Sequence, residues 1–130
     1  MTAILLDTHV LHWWSAEPAR VSPSAVVALE NADELAVSAI TWFELAWLAR
    51  HERIALAIPV HSWLEQLSRQ VRTIALTPAV AEVAVSLQSS FPGDPADRLI
   101  YASAVETGLA LVTKDQKMHS CMPMAVTCIW

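Results

Sequence analysis

At 130 residues the chain has the length of one domain and can bury a sizeable core. Its apolar share of 55% and mean hydropathy of +0.40 are high for a small soluble monomer, yet no run approaches the roughly 18 apolar residues of a membrane span. The net charge of −5 excludes simple electrostatic attraction to nucleic acid, which needs a basic footprint, unless converging acids hold divalent cations that reverse the local charge.

The first residues carry no basic flank and no signal-peptide cleavage pattern, so a cytoplasmic protein is expected. Ala3-Ile4-Leu5-Leu6 is an unbroken apolar run that reads as a short strand covered on both faces, and it stops at Asp7. A carboxylate there either caps the next helix or stands where ligands sit in a parallel sheet, just beyond a strand's carboxyl end. Val10 to about Ala16 is a short helix with Leu11 and Trp14 on one face. Ser22-Pro23 supplies a cap and a first-position proline for a helix ending near Asn31. Leu35–Ser38 is a second strand, followed by a strongly apolar helix from Ile40 to about His51. Pro59 precedes a helix over Val60–Gln70, with Val60, Trp63, Leu64 and Leu67 at helical spacing.

Arg72–Leu76 is the third strand candidate, and Thr77-Pro78 opens a helix to about Gln88. Ser89–Gly93 is the clearest loop. Asp94-Pro95-Ala96-Asp97 starts a helix that runs to about Thr107 and is closed by Gly108. Leu109–Val112 is a fourth strand and Met124–Thr127 a fifth. Short apolar strands alternating with helices indicate one α/β domain spanning residues 1–130, a three-layer sandwich with a mostly parallel sheet of four or five strands. Cys121 and Cys128 lack metal-ligand spacing and are expected as packing residues in a reducing compartment. Six tryptophans within this apolar excess predict surface hidden in a partner or a second copy.

Four acids occupy corresponding places. Asp7 ends the first strand, Asp115 follows the fourth, and Asp97 lies in the first turn of the helix feeding the fourth. Glu44 is the single polar residue in Trp42–Ala49 and shares a helical face with Ile40, Trp47 and Leu48, so burial there calls for a partner arginine or a metal. Each acid has an ordinary reading: Asp94 with Asp97 resembles a capping box, and Asp115 suits a turn. Together, carboxylates this close repel and take up a proton unless cations bind, and oxygen-only ligation suits Mg²⁺ or Mn²⁺. His9 and His12 are spaced to share a metal, but no third ligand accompanies them and packing or surface roles are favoured. With Gly93 and Gly108 the only glycines, no nucleophile elbow, P-loop or dinucleotide fingerprint occurs.

The segments Leu5–His9, Val37-Ser38 leading to Trp42–Leu45, Asp94–Ile100 and Leu111–Asp115, in that order, resemble the motifs of PIN-domain proteins. The likeness is nearest to the VapC-like toxins of bacterial toxin–antitoxin pairs with a D-P-x-D-R signature, and it covers nearly the whole chain. It implies an acidic site of Asp7, Glu44, Asp97 and Asp115 holding one or two Mg²⁺ or Mn²⁺ ions, with Asp94 an extra acid and Thr8 and Thr113 lining hydroxyls. His9 departs from the asparagine that many relatives carry after D-T. The implied activity is endoribonuclease cleavage to 5′-phosphate and 3′-hydroxyl ends, with single-stranded or loop RNA as substrate. Arg50, Arg53, Arg98, Lys114 and Lys117 are candidate RNA contacts. The implied partners are a cognate antitoxin and a second copy in a homodimer, with Trp13-Trp14 and the Trp42–Ala49 helix as candidate contact surfaces.

Two competing readings follow from the same residues. One is an inactive interaction module whose acids serve as caps and ion pairs. The other is phosphotransfer through an aspartyl-phosphate on Asp7; His9 stands where a phosphatase of that kind wants its second aspartate, and Lys114 is followed at once by Asp115.

Overall fold

The apolar runs become five strands, β1 (Ala3–Leu6), β2 (Glu34–Ser38), β3 (Arg72–Ile74), β4 (Ala110–Val112) and β5 (Cys128–Ile129). In the computed structural model, which describes residues 2–121 and 126–130, they form a parallel sheet in the order β3-β2-β1-β4-β5. β1 lies at its centre, with Leu6 opposite Val37 on one side and Val112 on the other.

The period of two along β1 separates the core into layers. Ile4 and Leu6, with Val37 and Val112, face a cluster built on helices α1 (Thr8–Ala16), α2 (Pro23–Asn31), α3 (Ile40–Arg50) and α4 (Val60–Ser68). Leu5, Ala36 and Leu111 face the opposite way, against Ile100, Tyr101 and Ala104 of helix α6 (Pro95–Thr107) and Met118 of helix α7 (Gln116–His119). Helix α5 (Pro78–Ser86) packs outside α6 through Val80, Ala84 and Ala102. Leu5, Leu6 and Leu111 are fully buried, each contributing roughly 1.5–3 kcal/mol over exposure. The expected three-layer sandwich is therefore present, with all strands parallel.

Local chemistry sets the helix ends. Ser22 and Thr77 cap α2 and α5, each hydroxyl accepting the N–H three residues on at 3.2 Å with proline at the first helical position. Gly108 ends α6 at φ 72°, a conformation glycine adopts without Cβ strain, and its N–H donates to Ala104.

Several boundaries differ from the expectation. α1 begins at Thr8 rather than Val10 because Asp7 caps it. β5 lies later than Met124–Thr127: the Leu111 N–H donates to Thr127 and the Thr113 N–H to Ile129, which places the pairing at Cys128–Ile129. Met124 and Ala125 of the expected strand lie outside the described residues. A 3₁₀ turn at Pro18–Arg20 and the short α7 carry too few residues for hydrophobic periodicity to announce them. No helix among the described residues is long and apolar enough to cross a membrane.

Candidate active site

From β1 the chain builds outward through β2 to β3, then returns to place β4 and β5 on the other flank. The order reverses between β1 and β4, and a crevice opens at their carboxyl ends. Asp7 sits at this point, its N–H donating to the Val112 carbonyl at 3.0 Å. The two readings of Asp7 prove compatible. Its Oδ1 accepts the Thr8 N–H at 2.8 Å as the cap of α1, while its Oδ2 accepts the Thr113 hydroxyl at 2.8 Å. The same Thr113 oxygen accepts the Asp115 N–H at 3.0 Å, so one buried hydroxyl fixes two acids. Asp115 in turn caps α7, its Oδ1 accepting the Lys117 N–H at 2.8 Å.

Asp94 caps α6, accepting the N–H groups of Ala96 at 2.8 Å and Asp97 at 3.4 Å. The box is one-sided: among the described residues no hydrogen bond reaches back from the Asp97 side chain, which faces the crevice instead. Glu44 extends from α3 and accepts the hydroxyl of buried Thr8, which also lies 3.0 Å from the Thr41 hydroxyl. Its partner is thus a threonine rather than an arginine. The apolar neighbours proposed for it are real, but Trp47 is 44% exposed, so that face is partly open.

Asp7, Glu44, Asp94, Asp97 and Asp115 line one cavity of about 540 Å³. They surround it without closing on a point: among the described residues no three carboxylate, imidazole or thiol groups make a ready cage. Burial governs their ionisation, and the neighbouring acids add to it. Burial raises the Asp7 carboxyl above its usual range against the hydrogen bonds from Thr113 and Thr8. Burial also raises Glu44, with the Thr8 bond opposing and Asp7 adding to the rise. Asp97 is pushed up to about 7, first by burial and then by Asp94, Asp7, Asp115 and Glu44. A cluster of hard oxygen donors that resists ionisation, with an Asp97 carboxylate engaged by no donor among the described residues, fits a divalent cation of the Mg²⁺ or Mn²⁺ type.

The predicted cations scatter. Lys114 lines the cavity. Arg98 does not: it donates to the carbonyls of Pro92, Ala84, Leu87, Gln88 and Phe91, and its guanidinium lies over the Phe91 ring at 5.7 Å. It ties together the loop that delivers Asp94. Lys117 opens onto a separate cavity with Ser90 and Phe91. Arg50 and Arg53, at and beyond the exposed end of α3, line neither the acidic cavity nor its apolar neighbour. His12 turns to Glu17 at 3.3 Å and packs edge-on against Trp63, so it does not join His9. Trp14 packs against the core. His9, Trp13 and Arg20 line the cavity without having been singled out as site residues. The available signal is that His9 and Trp13 are spaced i, i+4 on the helix that Asp7 caps, and so share one face of it.

A family profile for the PIN domain matches residues 4–121. The chain belongs to the PIN-domain family. A PIN relative, Ribonuclease VapC22 of Mycobacterium tuberculosis, is 67% identical over 120 residues, covering 92% of each chain. A toxin–antitoxin complex from Klebsiella pneumoniae contains a chain of the same fold, with TM-score 0.67, 25% identity and 95% of both chains covered. VapBC2 from Rickettsia felis, bound to a promoter DNA fragment, shares the fold at TM-score 0.71 and 18% identity, covering 98% of this chain and 97% of that one.

Proposed function

We propose that this PIN-domain chain is a single-domain endoribonuclease dependent on Mg²⁺ or Mn²⁺, and the toxin of a toxin–antitoxin pair. The observation that carries this is the convergence of acids from four separate segments, the ends of β1 and β4 and the helices α3 and α6, on one cavity. The 67% identity to a ribonuclease supports the substrate class.

Asp7, Asp97 and Asp115 would hold the cation, with Glu44 holding a second ion or a water. When bound, the cation lowers the pKa of water and offsets charge on the phosphodiester. The chain's own groups orient the site. Thr113 turns one Asp7 oxygen and fixes the Asp115 backbone, while Thr8 turns Glu44 and leaves its other oxygen free. Hydrolysis adds water across the P–O3′ bond: the water oxygen joins phosphorus, and the 3′ oxygen departs and takes a proton. Asp97, raised to about 7 by burial and by the other acids, would give up its proton as the cation binds.

An antitoxin partner accounts for the apolar excess. Phe43 at 57% and Trp47 at 44% exposure stand on α3 at a second, largely apolar cavity of about 510 Å³. It shares His9, Glu44 and Asp94 with the acidic one, so a segment with apolar anchors and one cationic side chain would cover the former and block the latter. A homodimer and a cytoplasmic location belong to the same proposal.

The test is cleavage of end-labelled RNA by purified protein with Mg²⁺ or Mn²⁺. Cutting that leaves 5′-phosphate ends and disappears with EDTA and in Asp7→Asn supports the proposal. Cutting that persists in Asp7→Asn refutes the site.

A further inference from the structure

A nuclease of this kind faces a problem of charge, because an RNA backbone must lie across a cavity lined by five carboxylates. Cations held by the acids serve the phosphate being cut, but the neighbouring phosphates need partners of their own. Among the described residues, Arg20 and Lys114 are the permanent cations lining this cavity. Both stand over one ring. The Arg20 guanidinium carbon is 4.7 Å and the Lys114 Nζ 5.9 Å from the Trp13 ring centroid.

That ring is fixed by its surroundings. Trp13 is 8% exposed, packs at a tilt against Trp130 at 5.9 Å, and meets His9 at 5.7 Å. So little exposure leaves no face for a nucleobase to stack on, and the ring serves to hold charge. Both cations line the same cavity, and an anion within reach of both offsets the repulsion between them. Arg20 has one exposed ion pair, with Glu17 at 3.8 Å and its own side chain 56% exposed, which leaves most of its donors open, and Lys114 forms no ion pair among the described residues. Lys114 directly precedes Asp115, which puts this cationic wall beside the acids. Arg20 ends the 3₁₀ turn, where its N–H donates to the Glu17 carbonyl at 2.9 Å.

We propose that Arg20 and Lys114, held over Trp13, form a phosphate subsite that grips an RNA phosphodiester flanking the one being cut. This rests on the ribonuclease reading and refines it. The subsite reads backbone charge and not base identity, so its contribution is independent of sequence, sensitive to salt, and absent for RNA lacking that flanking phosphate.

The experiment compares cleavage of a short single-stranded RNA in Mn²⁺ by wild type, Arg20→Gln, Lys114→Gln and the double variant across a salt series, with melting curves to confirm folding. A second RNA set carries one uncharged methylphosphonate at each position around the cut. Each single variant is expected to raise KM about five- to twentyfold with kcat within about twofold, the pattern of lost ground-state binding. The slope of log(kcat/KM) against log[salt] should fall by about 0.7 per cation removed. One methylphosphonate position should cost the wild type a similar factor and the double variant nothing; this arm decides the matter on wild type alone if a variant fails to fold. Unchanged KM and salt slope, or a fall confined to kcat, overturns the subsite while leaving the nuclease standing. A wild type that neither binds nor cuts RNA overturns both.

Discussion

Replacing Asp97 by Asn should make the metal-free protein more stable while removing its activity. Asp97 carries no hydrogen bond to its carboxylate among the described residues, and its neighbours are four other acids. In the unfolded chain its carboxyl titrates near 3.8; in the fold burial and the surrounding carboxylates push it up to about 7. The folded state therefore holds this proton more tightly than the unfolded state does. As pH rises from about 4 to about 7 the unfolded chain releases the proton first, so stability falls across that window and stays low above it. Taken at about 1.4 kcal/mol per pH unit, the whole interval sets an upper limit of about 4 kcal/mol. Asp97 is half-buried, and solvent screening reduces this to about 1–2 kcal/mol. For a chain of this size that is roughly 3–8 °C in Tm.

Thermal unfolding followed by circular dichroism in EDTA gives the comparison. At pH 7.5 the Asn variant should melt higher than wild type, and the gap should close as pH approaches 4. Added Mn²⁺ should narrow it from the other side, by raising wild type more than the variant, about 2.7 kcal/mol at one hundred times Kd for a protein that binds the ion. A variant less stable than wild type at pH 7.5, or a gap independent of pH, would refute the claim that these acids strain one another.

Arg98→Ala strands five carbonyl oxygens in and around residues 84–92 and should destabilise by about 2–4 kcal/mol, with faster proteolysis of the 88–92 loop. Arg98→Lys should recover little, since an ammonium cannot span that fan of acceptors. Thr113→Val removes the hydroxyl that serves both Asp7 and Asp115, at an expected cost of about 1–3 kcal/mol and a weaker cation affinity; unchanged affinity would show that the bridge is not what orients these acids. Phe43→Ala with Trp47→Ala should leave RNA cleavage intact and weaken inhibition by a cognate antitoxin at least tenfold, consistent with loss of exposed aromatic anchors.

Much of the fold was legible because it is written in local chemistry. Proline after a capping serine or threonine marked α2 and α5, and Gly108 marked the end of α6. The unbroken apolar run of β1 announced a strand buried on both faces, and Ile4 and Leu5 do enter different layers. Each acid's chain position was legible too, but its dual use was not. Asp7, Asp94 and Asp115 each cap a helix and line the cavity, and sequence offers no way to see that a capping carboxylate also faces a cavity. The cations were the weakest part. A charge in a sequence does not say what it faces: Arg98, next to a candidate acid, turns away to satisfy carbonyls ten or more residues back, while Arg20, far from every motif acid but Asp7 in sequence, lines the cavity. Those contacts arise from loops whose course no periodicity encodes.

Asp7, Glu44, Asp97 and Asp115 are proposed to form one cation site. Calorimetric titration of the purified protein with Mn²⁺ at pH 7.5 tests this directly, with Asp7→Asn, Glu44→Gln, Asp97→Asn and Asp115→Asn beside an Arg53→Gln control. Saturable binding that each acid replacement weakens at least about tenfold, and the control does not, is the predicted result. Absence of binding to wild type, or binding indifferent to all four replacements, would contradict it.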